Sequence, residues 1–126
     1  MEVIEHELGY ARMMKMNVKL ITSGRRSGEP RRVTLYAFRD GDRLVIVGSQ
    51  GGAATDPAWV GNLRAEPRAT LRNNGETLAV RAHEVAGPER DRLWTLVNAA
   101  FPLYTTYQRR TERIIPLFVL ETVKEA

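Results

Sequence analysis

RVTLYAFRDGDRLVIVG, residues 32–48, decides the fold class. Val33, Leu35 and Ala37 alternate with Arg32, Thr34 and Tyr36, the period of two that puts one set of side chains on each face of a strand. Asp40-Gly41 supplies the positive backbone angles of a tight turn, so the run from Leu44 to Gly48 is predicted to return antiparallel to the first strand. Working outward, Val18 to Thr22 reads as a strand ahead of this hairpin. Ala69–Asn73 and Glu76–Val85 form a second hairpin through Asn74-Gly75. Ile114 to Leu120 is apolar at successive positions, as expected of a strand covered on both faces in a closed or nearly closed sheet.

Helices are expected between these strands. Asp56 offers a side-chain cap and Pro57 a preset first residue to Ala58–Ala65, which Pro67 stops. Pro88 opens a second helix whose Leu93, Trp94, Val97, Ala100 and Phe101 recur at three and four. Pro102 ends or kinks it, and Leu103 to Arg110 reads as a further short helix. The pattern predicts an α+β, barrel-like domain of about six mainly antiparallel strands with two or three helices. Neither a G-x-G-x-x-G nor a Walker loop is present, and strands do not alternate with helices, which disfavours a doubly wound nucleotide fold. The 126 residues leave room for one domain, residues 18–126, preceded by an N-terminal helix or flexible segment over residues 1–17.

Composition narrows the chemistry. Without cysteine there is no thiol catalysis and no thiolate metal site, and His6 and His83 stand alone, so no metal site is expected. Redox work would need an organic cofactor. The net charge of +4 rests on arginine, since only Lys15, Lys19 and Lys124 are lysines, and planar guanidinium forks suit phosphate and carboxylate. The same excess also fits a GC-rich coding sequence. No window reaches the roughly 18 apolar residues of a membrane span and the start does not read as a signal peptide, so a cytoplasmic location is expected.

Arg25, Arg26 and Arg31 bracket a turn shaped by Gly24, Gly28 and Pro30, where several forks could converge on one anion. A solvated hairpin tip accounts for the same residues. Nucleic acid is disfavoured, because no aromatic ladder or recognition helix lies beside the run. Ser49-Gln50-Gly51-Gly52 lies between a strand and a helix, where backbone amides can approach a ligand. Trp59 and Asn62 sit on the helix that follows, Trp59 reading more readily as core and Asn62 as a donor and acceptor. Phe101, Tyr104 and Tyr107 are spaced by three, so a helical course past Pro102 would align them as a wall for a flat substrate, or as ordinary packing. No carboxylate pair or Ser-His-Asp set is present for hydrolysis.

Taken in order, ITSGRRSGEPR (21–31), LYAFRDGDR (35–43), SQGGA (49–53), DPAWVGNLRAEP (56–67), FPLYTTYQRRT (101–111) and RIIPLFVLE (113–121) resemble the deazaflavin-dependent (F420-dependent) nitroreductase family. That resemblance implies a split β-barrel and an oxidoreductase in which reduced coenzyme F420 delivers a hydride to a quinone or nitroaromatic acceptor. It implies that Arg25, Arg26 and Arg31, with Pro30 shaping their turn, hold the cofactor tail. Ser49, Gln50, Gly51, Gly52, Trp59 and Asn62 would surround the cofactor. Phe101, Tyr104 and Tyr107 would wall the acceptor, with Tyr104 or Ser49 as proton donor. Gln50 stands where many members have lysine, Val60 and Phe101 where tyrosine is frequent. In some members of that family the N-terminal region associates with the inner face of the membrane or closes over the site, which the resemblance extends to residues 1–17 as an expectation. FMN in the same fold, or a carrier that holds F420 without turnover, are the alternatives.

Overall fold

The computed structural model describes residues 15–123. Six strands close into one antiparallel barrel: β1 (Lys15–Ser23), β2 (Pro30–Asp40), β3 (Arg43–Val47), β4 (Arg68–Asn73), β5 (Glu76–Glu84) and β6 (Leu117–Thr122), in the spatial order β1-β2-β3-β6-β5-β4. Three helices complete it: α1 (Ala58–Ala65), α2 (Gly87–Ala100) and α3 (Leu103–Arg109). The expected α+β barrel of six strands is thus the architecture found. The helix or flexible segment expected over residues 1–17 lies outside the described residues up to residue 14, while Lys15, Met16 and Asn17 belong to β1.

Alternation along the strands builds two cores. Val18, Leu20, Ile46, Leu71, Val80, Phe118 and Leu120 point into the barrel, where Trp59, Val60 and Leu63 of α1 plug one end. Phe38, Val45, Val47, Leu117 and Val119 point outward and are covered by Leu93 and Val97 of α2 and Tyr104 of α3. That double covering is why Leu117 to Leu120 are buried without a break. Each such side chain contributes roughly 1.5–3 kcal/mol through burial, so Leu63, which closes the barrel end, is a main determinant of its integrity.

Turn chemistry follows the sequence with two differences. Asn74 (φ 50°) and Gly75 (φ 81°) make the β4–β5 turn as expected. In the β2–β3 hairpin, however, Asp40 pairs with Arg43 inside the ladder, so the turn is Gly41-Asp42 and Gly41 alone takes the positive angle, φ 63°. Asp56 does not cap α1: Pro57 is the cap residue and no side chain bonds there. The Asp56 carboxylate instead accepts from Arg113 at 2.7 Å and Arg64 at 3.2 Å, charge-assisted bonds stronger than a cap. The last strand also starts later than Ile114. Pro116 has no N–H to give a ladder, and Ile114 is left 74% exposed before β6 begins at Leu117.

Candidate functional site

The barrel is split along one seam. β2 pairs with β1 from Pro30 to Phe38 but reaches β3 only through Phe38, Arg39 and Asp40. Among the described residues, the β3-facing edge of residues 30–37 has no strand partner, and a groove runs along it. One half, of about 520 Å³, is lined by Arg25, Arg26, Arg31 and Arg32 with Thr22, Ala58 and Asn62. The other, of about 550 Å³, is lined by Ser49, Gln50, Gly51, Tyr36, Phe101, Tyr104 and Tyr107. Val33, Pro57 and Trp59 line both halves, so the two are one continuous cleft with a cationic end and an aromatic end.

At the cationic end, Asn62 organises the loop between β1 and β2. It is only 4% exposed. Its amide nitrogen donates to Thr22 Oγ1 at 3.1 Å, and its oxygen accepts from the Arg25 backbone N–H at 3.1 Å and Arg25 Nη1 at 3.4 Å. Arg25 Nη1 also donates to the Ala58 carbonyl at 3.2 Å. The guanidinium lies against Gly61, where a Cβ would come within 2.9 Å of Nη1. Arg31 is mostly exposed and only 3.9 Å from Glu29, a weak pairing that leaves its fork available. Asn62 therefore acts chiefly by fixing Arg25, which is exposed like Arg26, Arg31 and Arg32. Pro30 opens β2 opposite Ser23 and does not line the groove.

The aromatic end is built from three elements. Phe101 is its hub, with ring centroids 5.4 Å from Tyr36, 4.8 Å from Tyr104 and 6.3 Å from Tyr107. The helix does not run through Pro102. α2 ends at Ala100, Phe101 leaves the helical region (φ −144°), and α3 restarts at Leu103, yet the three rings still meet. Tyr104 is 4% exposed and its ring packs edge-on to Phe38 at 5.8 Å. Burial, aided by Tyr36 and Tyr107, pushes its phenol above the ordinary range, so it stays protonated well into alkaline pH. Lys15 Nζ lies 4.6 Å from the Tyr36 centroid and 5.6 Å from that of Phe101.

In the aromatic half, Ser49, Gln50 and Gly51 also line the cleft. Gln50 has φ 43°, a conformation that a non-glycine residue holds only under constraint. Gly52 is different. It is buried against α3, where a Cβ would sit 2.6 Å from the Tyr107 carbonyl oxygen, so it anchors the loop and does not line the groove. Trp59 is 5% exposed and packs on Phe118 at 5.8 Å, core and groove floor at once.

Three contributors escape a reading of the sequence as motifs. Arg32 and Tyr36 are legible in the outward set of the β2 alternation, but only the open seam makes that face a groove wall. Arg113 carries no local signal. Its guanidinium donates to the carbonyls of Ala53 (2.8 Å), Gly48 (3.0 Å) and Ser49 (2.8 Å) and to Asp56, tying the whole loop to the end of α3.

Over residues 2–122 the sequence matches the family described as F420H(2)-dependent quinone reductase. An F420H(2)-dependent quinone reductase of Mycobacterium tuberculosis is 39% identical over 104 residues, which is 80% of this chain and 70% of that protein. A solved F420-H2 dependent reductase superposes with a TM-score of 0.76 at 34% identity, covering 83% of this chain and 93% of the other. A FAD-binding protein of Mesorhizobium loti, 14% identical with a TM-score of 0.55 over 90% of this chain and 86% of its own, shares the fold alone.

Proposed function

We propose that this chain, which belongs to the F420H(2)-dependent quinone reductase family, binds its coenzyme F420 along the split seam and uses it to reduce a quinone at the aromatic end. The observation that carries this reading is the continuity of the cleft: four guanidinium groups at one end and four aromatic rings at the other, joined over Trp59. A cofactor with a polyanionic tail and a flat ring system needs that combination, and the residues present fit it.

Arg26, Arg31 and Arg32 would bind the tail phosphate and carboxylates through charge-assisted forks, with Arg25 held by Asn62 as the fixed member. Ser49, Gln50 and Gly51 would meet the ring edge with backbone amides, in a loop whose shape Arg113 and Gly52 hold. When bound, reduced F420 supplies a hydride from C5 of its deazaflavin. Tyr36, Phe101, Tyr104 and Tyr107 would stack the acceptor and exclude water, which is worth much of the rate through orientation. A quinone that accepts a hydride is left as an oxyanion and needs one proton. The Tyr104 hydroxyl, which lines the aromatic half of the groove, is the donor of first choice, and the Ser49 hydroxyl the second. Nitroaromatics fit the same wall by shape.

A cofactor carrying several negative charges does not cross a bilayer unaided, which goes with a cytoplasmic site of action. Among the described residues no helix is long and apolar enough to cross a membrane. The proposed domain is 18–126 together with Lys15–Asn17, which already belong to β1, and residues 1–14, outside the described residues, are proposed as the segment for contact with the inner face of the membrane. The test is titration with F420, FMN and FAD followed by turnover with menadione. Selective F420 binding and oxidation of F420H2 by menadione are expected. Preference for FMN, or F420 binding without turnover, would overturn the reading in favour of a flavin enzyme or a carrier.

A further inference from the structure

The outer face of the barrel carries a charge arrangement that the groove does not use. Lys19 of β1 and Arg72 of β4 are direct cross-strand partners, and like charges so placed repel. Neither forms an ion pair among the described residues. The barrel's other cross-strand pair of like charge, Arg68 with Arg81, is relieved: Glu66 lies 2.6 Å from Arg68, and Glu121 is the partner of Arg81 on its other side. Lys19 and Arg72 have no such relief. They line a pocket of about 460 Å³ with Asn17, Asn73, Asn74 and Thr77, whose amide and hydroxyl groups can donate. Glu76 is the single carboxylate of that lining.

The pocket adjoins the aromatic end of the cleft. Asn17 lines both, and it pairs across the ladder with Tyr36. Lys19 pairs with Thr34, which also lines the aromatic half. Two residues along a strand span about 7 Å, so a ring lying against Tyr36 and a substituent reaching Lys19 belong to one small molecule.

Resting on the reading of the aromatic end as the acceptor site, we propose that this pocket is an anion subsite for the acceptor. It takes a carboxylate, sulfonate or phosphate carried on the quinone and so selects acidic quinones over neutral ones. The cofactor tail is bound at the opposite end by a different set of arginines, so the two anionic groups do not compete.

The experiment compares kcat/KM for menadione and for a naphthoquinone bearing one sulfonate group, with F420H2 as donor. In Lys19→Gln and Arg72→Gln the ratio of sulfonated to neutral quinone should fall about fivefold each, the size of one exposed charge contact, and Lys19→Arg should restore it. An unchanged ratio in both variants overturns the subsite. Should the wild type reduce neither quinone, the proposed function fails instead. Calorimetric binding of the sulfonated quinone then decides the subsite alone: weaker binding in the variants supports it, and equal binding overturns it.

Discussion

The guanidinium of Arg113 and the carboxylate of Asp56 meet at 2.7 Å, and around that pair the whole loop from Gly48 to Ala53 is suspended. Removing the fork leaves three carbonyls without this partner in a part-buried place and Asp56 with Arg64 alone. Arg113→Gln should therefore cost about 2–4 kcal/mol and lower Tm by roughly 10 °C. Arg113→Lys should recover only part of this, because one ammonium cannot span four acceptors. Thermal unfolding checks it; a variant as stable as wild type would remove Arg113 from its role.

Gly61 is empty because Arg25 occupies the space beside it. A Cβ at residue 61 would lie 2.9 Å from Arg25 Nη1 and 3.3 Å from its Cζ, at the movable end of a flexible chain. Gly61→Ala should hold or raise Tm, since alanine favours a helix by about 1 kcal/mol. It should weaken F420 binding about tenfold by displacing the fork. Unfolding and cofactor titration read the two effects separately, and unchanged affinity would show that Arg25 does not hold the tail.

Tyr104 tests the acceptor wall and the proton together. Tyr104→Phe keeps the ring against Phe38 and Phe101 and deletes the hydroxyl, whereas Tyr104→Ala deletes both. If the hydroxyl donates the proton, Phe lowers the stopped-flow rate of F420H2 oxidation by menadione about a hundredfold, with cofactor affinity retained. Because burial raises the phenol, its neutral form persists above the ordinary value of about 10, so the wild-type rate should stay level through that pH. A wild-type rate in Phe with a loss in Ala assigns Tyr104 to packing.

Asp40 contributes to the acid sensitivity of the fold. Its hydrogen bonds to Arg92 and Arg43 bring its pKa from 3.8 to about 2. A lowered carboxylate pKa gives stability that is present above the ordinary value and is lost as pH falls through the lowered one. Wild type should exceed Asp40→Asn by up to about 1 kcal/mol at pH 7, since part of this cluster is exposed. The difference should shrink as pH falls below about 5 and vanish only at about pH 1, below the lowered value. Denaturant unfolding across that range reads it directly, and a gap undiminished at about pH 1 would assign the effect to packing.

Period-two alternation and the Asn74-Gly75 turn made the barrel legible in the sequence, because those signals are local. The basic loop and the aromatic triplet were legible as candidates for the same reason. What local reading could not supply is which long-range bonds win. Asp56 looked like a helix cap until Arg113, far along the chain, claimed its carboxylate. Gly52 looked like a ligand-facing glycine, but it packs on α3. Tyr36 became a groove wall only because β2 and β3 part after three pairs, a feature of closure and not of either strand alone.

Cofactor binding along the seam requires that the arginine end of the cleft read the cofactor tail. The deciding measurement is the affinity of wild type, Arg26→Ala and Arg31→Ala for full-length F420 and for its tail-truncated form at low salt. Wild type should prefer the full cofactor, and each variant should lose roughly 1–3 kcal/mol of that preference, with salt eroding it in the same way. Equal affinity of wild type for both forms, with neither arginine affecting binding, would contradict that reading of the tail.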